Sequence, residues 1–283
     1  MANERFTNAL KGVAQKVPPI WMMRQAGRYH KHYQALKEKY SFMELCKEPE
    51  LAAEVAMGPI EDFDFDVAIL FSDLLFPLEA LGMGLEYSPG PQLGWKLTPE
   101  NLQQLLPVDE AIGGMEFQRL AVQATRARLP QRKSLIGFVG GPWTLFAYAA
   151  DGSHKGGLKD AKRLWSLFPA FTEIIRPFLV KNIALQLEAG AEVVMIFDTA
   201  AGELAPQMYR EFVSPTIQQI ASQFPGRIGY YSQNTQLAHL FPYLNESTEL
   251  AGLGFDHRWE LPTVFEFVSG GFVQGNFDQT MMF

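Results

Sequence analysis

Apolar runs of strand length punctuate the chain at Ile20–Met23, Val67–Phe71, Leu135–Val139, Val193–Phe197, Ile228–Tyr231, Gly252–Phe255 and Phe272–Gln274. Longer stretches with apolar residues at helical spacing lie between them. Such alternation predicts a parallel sheet whose strands, covered on both faces, are joined by βα crossovers. Residues 49 to 60 open with Pro49, which suits a first helical turn, and predict a helix. The longest helical pattern runs from Pro169 to Ala189 and stops at Gly190, expected to take positive φ just past the helix end. Another spans Pro206 to about Phe224, before Pro225-Gly226 turns the chain.

The apolar runs number seven, one short of the eight that close a (β/α)8 barrel. Directly after the seventh, the chain ends in Gln279-Thr-Met-Met-Phe283. The expectation is a single TIM-barrel domain over residues 1–283 whose eighth unit is missing. With 283 residues, 47% of them hydrophobic and 19% charged, the chain is long enough to bury one large core, and no Pro/Gly/Ser-rich linker divides it.

In a parallel barrel, polar residues just past the apolar runs build the site. Here these are Arg24, Gln25 and Arg28, then Ser72 and Asp73, then Asp198 and Thr199, and finally Gln274 and Asn276. Arg24 and Arg28 flank Gln-Ala-Gly, whose glycine is expected to ease a turn, and form either a fork for carboxylates and phosphates or two ordinary surface arginines. Asp73 closes Ala-Ile-Leu-Phe-Ser-Asp and reads either as a partner for a developing cation or, like Ser72, as a helix cap. In Gly137 to Gly152, glycines stand before a helix begun by Pro142, without the spacing of a nucleotide-binding loop. Tyr148 in that helix reads as a core aromatic, and Asp198 as an orienting group or cap, with Thr199 equally open. His30, Lys31 and His32 are expected on a solvated helical face.

Charge narrows the classes. The formal charge is −7, and no basic stripe suggests nucleic acid. Cys46 is the only cysteine, so an intramolecular disulfide and a multi-cysteine zinc site are both excluded, which fits a reducing cytoplasm. No His-Glu-x-x-His motif supports a metal, and neither a secretory leader nor a membrane-spanning apolar run is evident.

Taken together, Pro19-Ile-Trp-Met-Met-Arg-Gln-Ala-Gly-Arg28-Tyr29 and Gly137-Phe-Val-Gly-Gly-Pro-Trp-Thr-Leu-Phe-Ala-Tyr148 resemble the two signatures of the uroporphyrinogen decarboxylase family. Phe71-Ser-Asp73, Ile196-Phe-Asp198 and Gln274-Gly-Asn276 fall at further expected places. The resemblance implies a homodimeric (β/α)8 enzyme that removes carbon dioxide from the four acetate side chains of uroporphyrinogen III, without a metal or organic cofactor. It implies that Arg24 and Arg28, with Gln25, Ala26 and Gly27 between them, bind substrate carboxylates, and that one arginine is a candidate proton donor. Asp73 would face the pyrrole nitrogens, and Tyr148 and Thr199 would touch the substrate. Departures from the family pattern are Asp151 for a usual glutamate, Gln233-Asn234 for Lys-Gly and Asp256-His257 for Asp-Trp. No Asn-Leu-Gly-His-Gly segment follows. Alternative readings are a methyltransferase of the same superfamily, for which one cysteine is too few ligands, and a non-catalytic tetrapyrrole-binding relative.

Overall fold

The computed structural model describes residues 3–88, 90–244 and 248–282. Its frame is one parallel sheet of six strands in sequential order: β1 Val67–Ile69, β2 Ser134–Gly140, β3 Val193–Asp198, β4 Ile228–Ser232, β5 Gly252–Gly254 and β6 Phe272–Gln274. Sequential order with parallel neighbours is what right-handed βα crossovers produce, and a twisted sheet of this kind curls into a half-barrel. The helices that carry the argument are α1 Pro49–Phe63, α2 Glu116–Arg128, α3 Pro142–Asp151 and α4 Phe168–Glu188.

Six of the seven expected strands form; Ile20–Met23 does not. That segment makes a single ladder-like exchange, with Asp66 N donating to Ile20 O at 2.9 Å and Ile20 N donating to Asp66 Oδ2 at 2.9 Å. It then folds back, because the Gln25 amide oxygen accepts from Met22 N at 3.1 Å and its nitrogen donates to Val67 O at 3.1 Å. The helical expectations hold with small boundary shifts. Gly190 takes φ +118° directly after α4, and the segment from Pro206 is helical through Ala221, with its middle turn widened at Tyr209–Val213. Helix α2, less apolar than its neighbours, was not anticipated from the pattern.

Strand β1 stops at Ile69, two residues earlier than expected, for a specific reason. Beyond that point the backbone of Phe138 on β2 is satisfied by a side chain: Phe138 N donates to Gln186 Oε1 at 2.9 Å, and Gln186 Nε2 donates to Phe138 O at 3.0 Å. Gln186 Nε2 also reaches Gln118 Oε1 at 3.2 Å, and Gln118 Nε2 donates to Ser72 Oγ at 2.7 Å. These buried amides from α4 and α2 take the place of a continuing strand, so the Phe138 N–H and C=O are not orphaned. Residues 71–75 are thereby released from the ladder to turn over the C-terminal edge of the sheet. At the opposite edge, the helix Glu4–Leu10 is tied down by Asn3, whose Nδ2 donates to Asp66 Oδ1 at 3.1 Å, and by buried Phe6.

Candidate active site

The loop between β1 and the helical turn Phe76–Leu78 delivers Asp73. Its Oδ1 accepts from Leu75 N at 2.9 Å, which fixes the turn ahead of the helix without capping it: the cap residue is Leu75, which makes no side-chain capping bond. Burial outweighs this hydrogen bond and the nearby Arg24 guanidinium, and holds the Asp73 carboxyl above its ordinary range. Tyr87, from a two-stranded ribbon (Glu86–Tyr87 with Pro91–Gln92), brings a phenol to the same place. Its hydroxyl is buried without a hydrogen-bond partner of normal geometry, and its pKa is raised by burial first and by the Asp73 charge second. Tyr148, on the second turn of α3, is raised to about 12 by burial and by Asp73, with Arg24 opposing.

Arg24 therefore acts electrostatically on Asp73, Tyr148 and His154, and makes no ion pair among the described residues. Arg28, four residues on, lines a surface depression with Tyr33, Gln34, Lys37 and Glu38. Gln25 is buried in its two loop hydrogen bonds, while Ala26 and Gly27 are half-buried between the arginines. Gly27 does not have the left-handed backbone that a tight turn would demand. A Cβ there would rest in ordinary contact, 3.5 Å from Arg24 O.

The histidines beside the arginines do not lie on a solvated face. His30 is buried with Nε2 2.6 Å from Asp62 Oδ2, and His32 Nε2 is 3.0 Å from Glu54 Oε1, so both dock on the acidic side of α1. Arg128 from α2 joins the same acidic row at Glu50 and Glu54. Lys31 stays exposed as expected, and among the described residues Arg24, Arg28 and Lys31 make no ion pair.

Asp198, at the end of β3, is fully buried and organises the neighbouring turn. Its Oδ1 accepts from Thr144 N at 3.0 Å and Thr144 Oγ1 at 2.6 Å, and Tyr230 donates to Oδ2 at 3.3 Å. Thr144 Oγ1 in turn accepts from Ala200 N at 3.0 Å, and Trp143 Nε1 donates to Ala200 O at 3.0 Å. The start of α3 and the turn after β3 are one unit, and half-buried Thr199 is held at its rim. Burial lifts the Asp198 pKa from 3.8 to about 6 despite these donors.

A stability measurement follows. The folded chain keeps the Asp198 proton up to about pH 6, whereas the unfolded chain releases it near 3.8, so the folded state binds more protons in between. This contribution is complete at low pH and is lost as pH rises through about 6. Asp198→Asn, which has no charge to lose, is expected to remove about 3 kcal/mol of that pH dependence. Urea unfolding of both proteins across this window measures it; a wild-type-minus-variant difference that does not change with pH contradicts the assignment.

The other polar candidates serve the frame. Asp151 caps the helix Lys159–Arg163 by accepting from Asp160 N at 3.2 Å and Ala161 N at 2.7 Å. Asp256 is buried and binds Asn234 N at 2.7 Å and the Arg258 guanidinium at 2.8 Å. Gln274 ends β6, and the Asn276 amide donates to Trp259 O. Cys46 is buried, its thiol pushed well up by burial and by Asp73. Among the described residues no group of three His, Cys, Asp or Glu side chains is placed to share a metal ion, and no helix is long and apolar enough to cross a membrane.

Tyr87 and His154 are site residues that the sequence reading missed. Tyr87 sits in a Gly/Pro-rich hairpin with no motif, and His154 in a loop after α3; only their distance from Asp73 and Tyr148 in space marks them.

A curled parallel sheet with its polar groups gathered beyond the C-terminal strand ends defines a TIM-barrel-like α/β protein whose candidate site lies at that edge. A family model described as uroporphyrinogen decarboxylase (URO-D) matches residues 1–283, and the chain belongs to that family. Curated relatives include a uroporphyrinogen decarboxylase of Geotalea uraniireducens (strain Rf4), 33% identical over 99% of this chain and 84% of the relative. Another, from Thermodesulfovibrio yellowstonii, is 35% identical over 97% of this chain and 82% of the relative. The fold is shared with a methyltransferase from Methanosarcina mazei at a TM-score of 0.79 and 20% identity, over 96% of this chain and 81% of that one.

Proposed function

We propose that the chain is a uroporphyrinogen decarboxylase that converts the acetate side chains of uroporphyrinogen III to methyl groups. The observation that carries this reading is the half-buried Asp73 carboxylate, its proton affinity raised by desolvation, near two phenols, Tyr87 and Tyr148, and the Arg24 guanidinium. Breaking a pyrrole–CH2–COO− unit needs an electron sink. Protonating the ring carbon makes an iminium-like cation; the C–C bond pair then flows toward the ring, carbon dioxide leaves, and the methylene carbon takes a proton while the ring carbon releases one. An anionic Asp73 in a water-poor cleft stabilises that cation strongly, because no solvent dipoles screen it.

The substrate carries eight carboxylates by its chemistry, and the acidic surface would repel it away from the opening loop. Arg24 anchors carboxylates next to the reacting ring, and Arg28, on the surface depression, takes those further out. Gln25, Ala26 and Gly27 form the loop that spaces the two, and Thr199 meets the substrate from the rim of the β3 turn. No metal or organic cofactor enters these steps. The same reading carries a (β/α)8 architecture and a homodimer working in the cytoplasm.

Anaerobic incubation with uroporphyrinogen III tests it: coproporphyrinogen III with release of four carbon dioxide molecules is expected. Tight porphyrinogen binding with no carbon dioxide released would instead favour a tetrapyrrole-binding protein.

A further inference from the structure

Each acetate that loses carbon dioxide gains a hydrogen, so one proton per acetate must reach the site from solvent. Arg24 is a poor courier, since a guanidinium holds its proton too tightly to release it near neutral pH. Asp73 is needed as an anion. The Tyr87 phenol adjoins Asp73, an anion with no proton to pass on, which leaves the phenol in contact with an imidazole: Tyr148 Oη lies 2.5 Å from His154 Nδ1, with ring centroids 5.2 Å apart at 39°.

This contact is built by the loop. Gly152 ends α3 in the left-handed region at φ +76°, and Gly156 and Gly157 follow at +87° and +80°, so the chain doubles back and returns a residue six positions on to the side chain of Tyr148. Asp151 anchors the loop by capping the next helix. His154 is half-buried, its Nδ1 is engaged by Tyr148, and its Nε2 has no hydrogen-bond partner among the described residues and is not enclosed. One ring nitrogen thus faces the site and the other faces water.

We propose that His154 and Tyr148 form a relay that carries solvent protons to the reacting carbon, a role that rests on the decarboxylase reading above. In the transfer the C–C bond to the carboxylate has broken, carbon dioxide has left, and the electron pair has returned to the methylene carbon. That pair takes the Tyr148 hydroxyl proton to form the new C–H bond. The Tyr148 oxygen takes the Nδ1 proton of the imidazolium, and the neutral imidazole regains a proton from water. One proton leaves solvent for each carbon dioxide released, and Tyr148 ends as it began. His154 acts through Tyr148 and supplies protons without touching substrate.

The groups facing the pair set its pH range. His154 is lowered from the ordinary imidazole value by burial first, then by Lys155 beside it and Arg24 across the cleft. Asp73 and Tyr87 face Tyr148 from the other side, and the Lys96 side chain lies near Gly152. Two lysine or arginine cations close to His154, with no carboxylate paired to it among the described residues, favour giving the proton away.

The test measures anaerobic turnover against pH for the wild type, His154→Gln, Tyr148→Phe and the double variant, with His154→Ala assayed with and without added imidazole. Wild-type turnover is expected to fall as pH rises through the lowered imidazole pKa. His154→Gln should lose that limb and about 100-fold of the rate, the double variant should be no slower than Tyr148→Phe, and imidazole should restore about tenfold or more to His154→Ala. A His154→Gln enzyme with the wild-type alkaline limb, or a His154→Ala enzyme that imidazole does not accelerate, overturns the relay. A wild type without turnover overturns the decarboxylase reading itself, and the relay with it.

Discussion

Asp73→Asn is expected to lower uroporphyrinogen turnover by about 1,000-fold while leaving the fold as stable as before or more so. The two effects separate because the carboxylate has two tasks. An asparagine oxygen still accepts from Leu75 N, so the turn into Phe76–Leu78 survives. What disappears is the negative charge opposite the protonated pyrrole. Burial already disfavours that charge in the free protein, since the Asp73 pKa is raised, so a neutral group costs the fold nothing at neutral pH. The wild-type enzyme should in turn lose activity as pH falls through this raised pKa, because only the anion stabilises the cation. Single-turnover rates with thermal unfolding of the same samples check both arms. A variant within about tenfold of the wild-type rate would show that Asp73 is not the electrostatic centre.

Gly141→Ala should damage the fold strongly, with a loss of about 3 to 5 kcal/mol. Gly141 has an ordinary φ of −66°, so backbone freedom is not what requires glycine here. The reason is space: a Cβ would sit 2.5 Å from the Asp198 Cβ and 2.7 Å from its Oδ1. Asp198 cannot retreat, because it is fully buried and holds Thr144 and Tyr230. Relief of the clash therefore breaks hydrogen bonds to a buried carboxyl, and the turn bearing Thr199 moves with them. Urea unfolding should show the loss; a change under about 1 kcal/mol would mean the turn is more compliant than its packing suggests. In a protein with a typical stability of about 5 to 15 kcal/mol, the expected loss is a large share.

The fate of individual residues shows why some features were legible and others not. Val193–Phe197 and Leu135–Val139 are continuous apolar runs because both faces of a central parallel strand are covered, and they were placed to within a residue or two. Ile20–Met23 has the same apolar pattern and is not a strand, because its backbone is satisfied by Asp66 and Gln25 rather than by a ladder. His30 and His32 read as a solvated cationic face, and the acidic partners that draw them inward, Asp62 and Glu54, lie some 20 to 30 positions away. Pattern reading sees neighbours in sequence, and these bonds join residues that are distant along the chain.

The sequence by itself determined the alternating α/β plan, six of the seven strands, the ends of the long helices and, through its two signatures, the family. Local periodicity and turn chemistry dictate such features, and both are written over a few consecutive residues. Only the tertiary structure decided that Arg24 bears on Asp73 while Arg28 opens on a surface depression, that Asp198 and Asp151 are structural anchors, and that Tyr87 and His154 join the candidate site. Those outcomes depend on how far loops reach once β1 ends early and the glycines after α3 turn the chain back. A site is made of distances between remote residues, and such distances exist only after the core has packed.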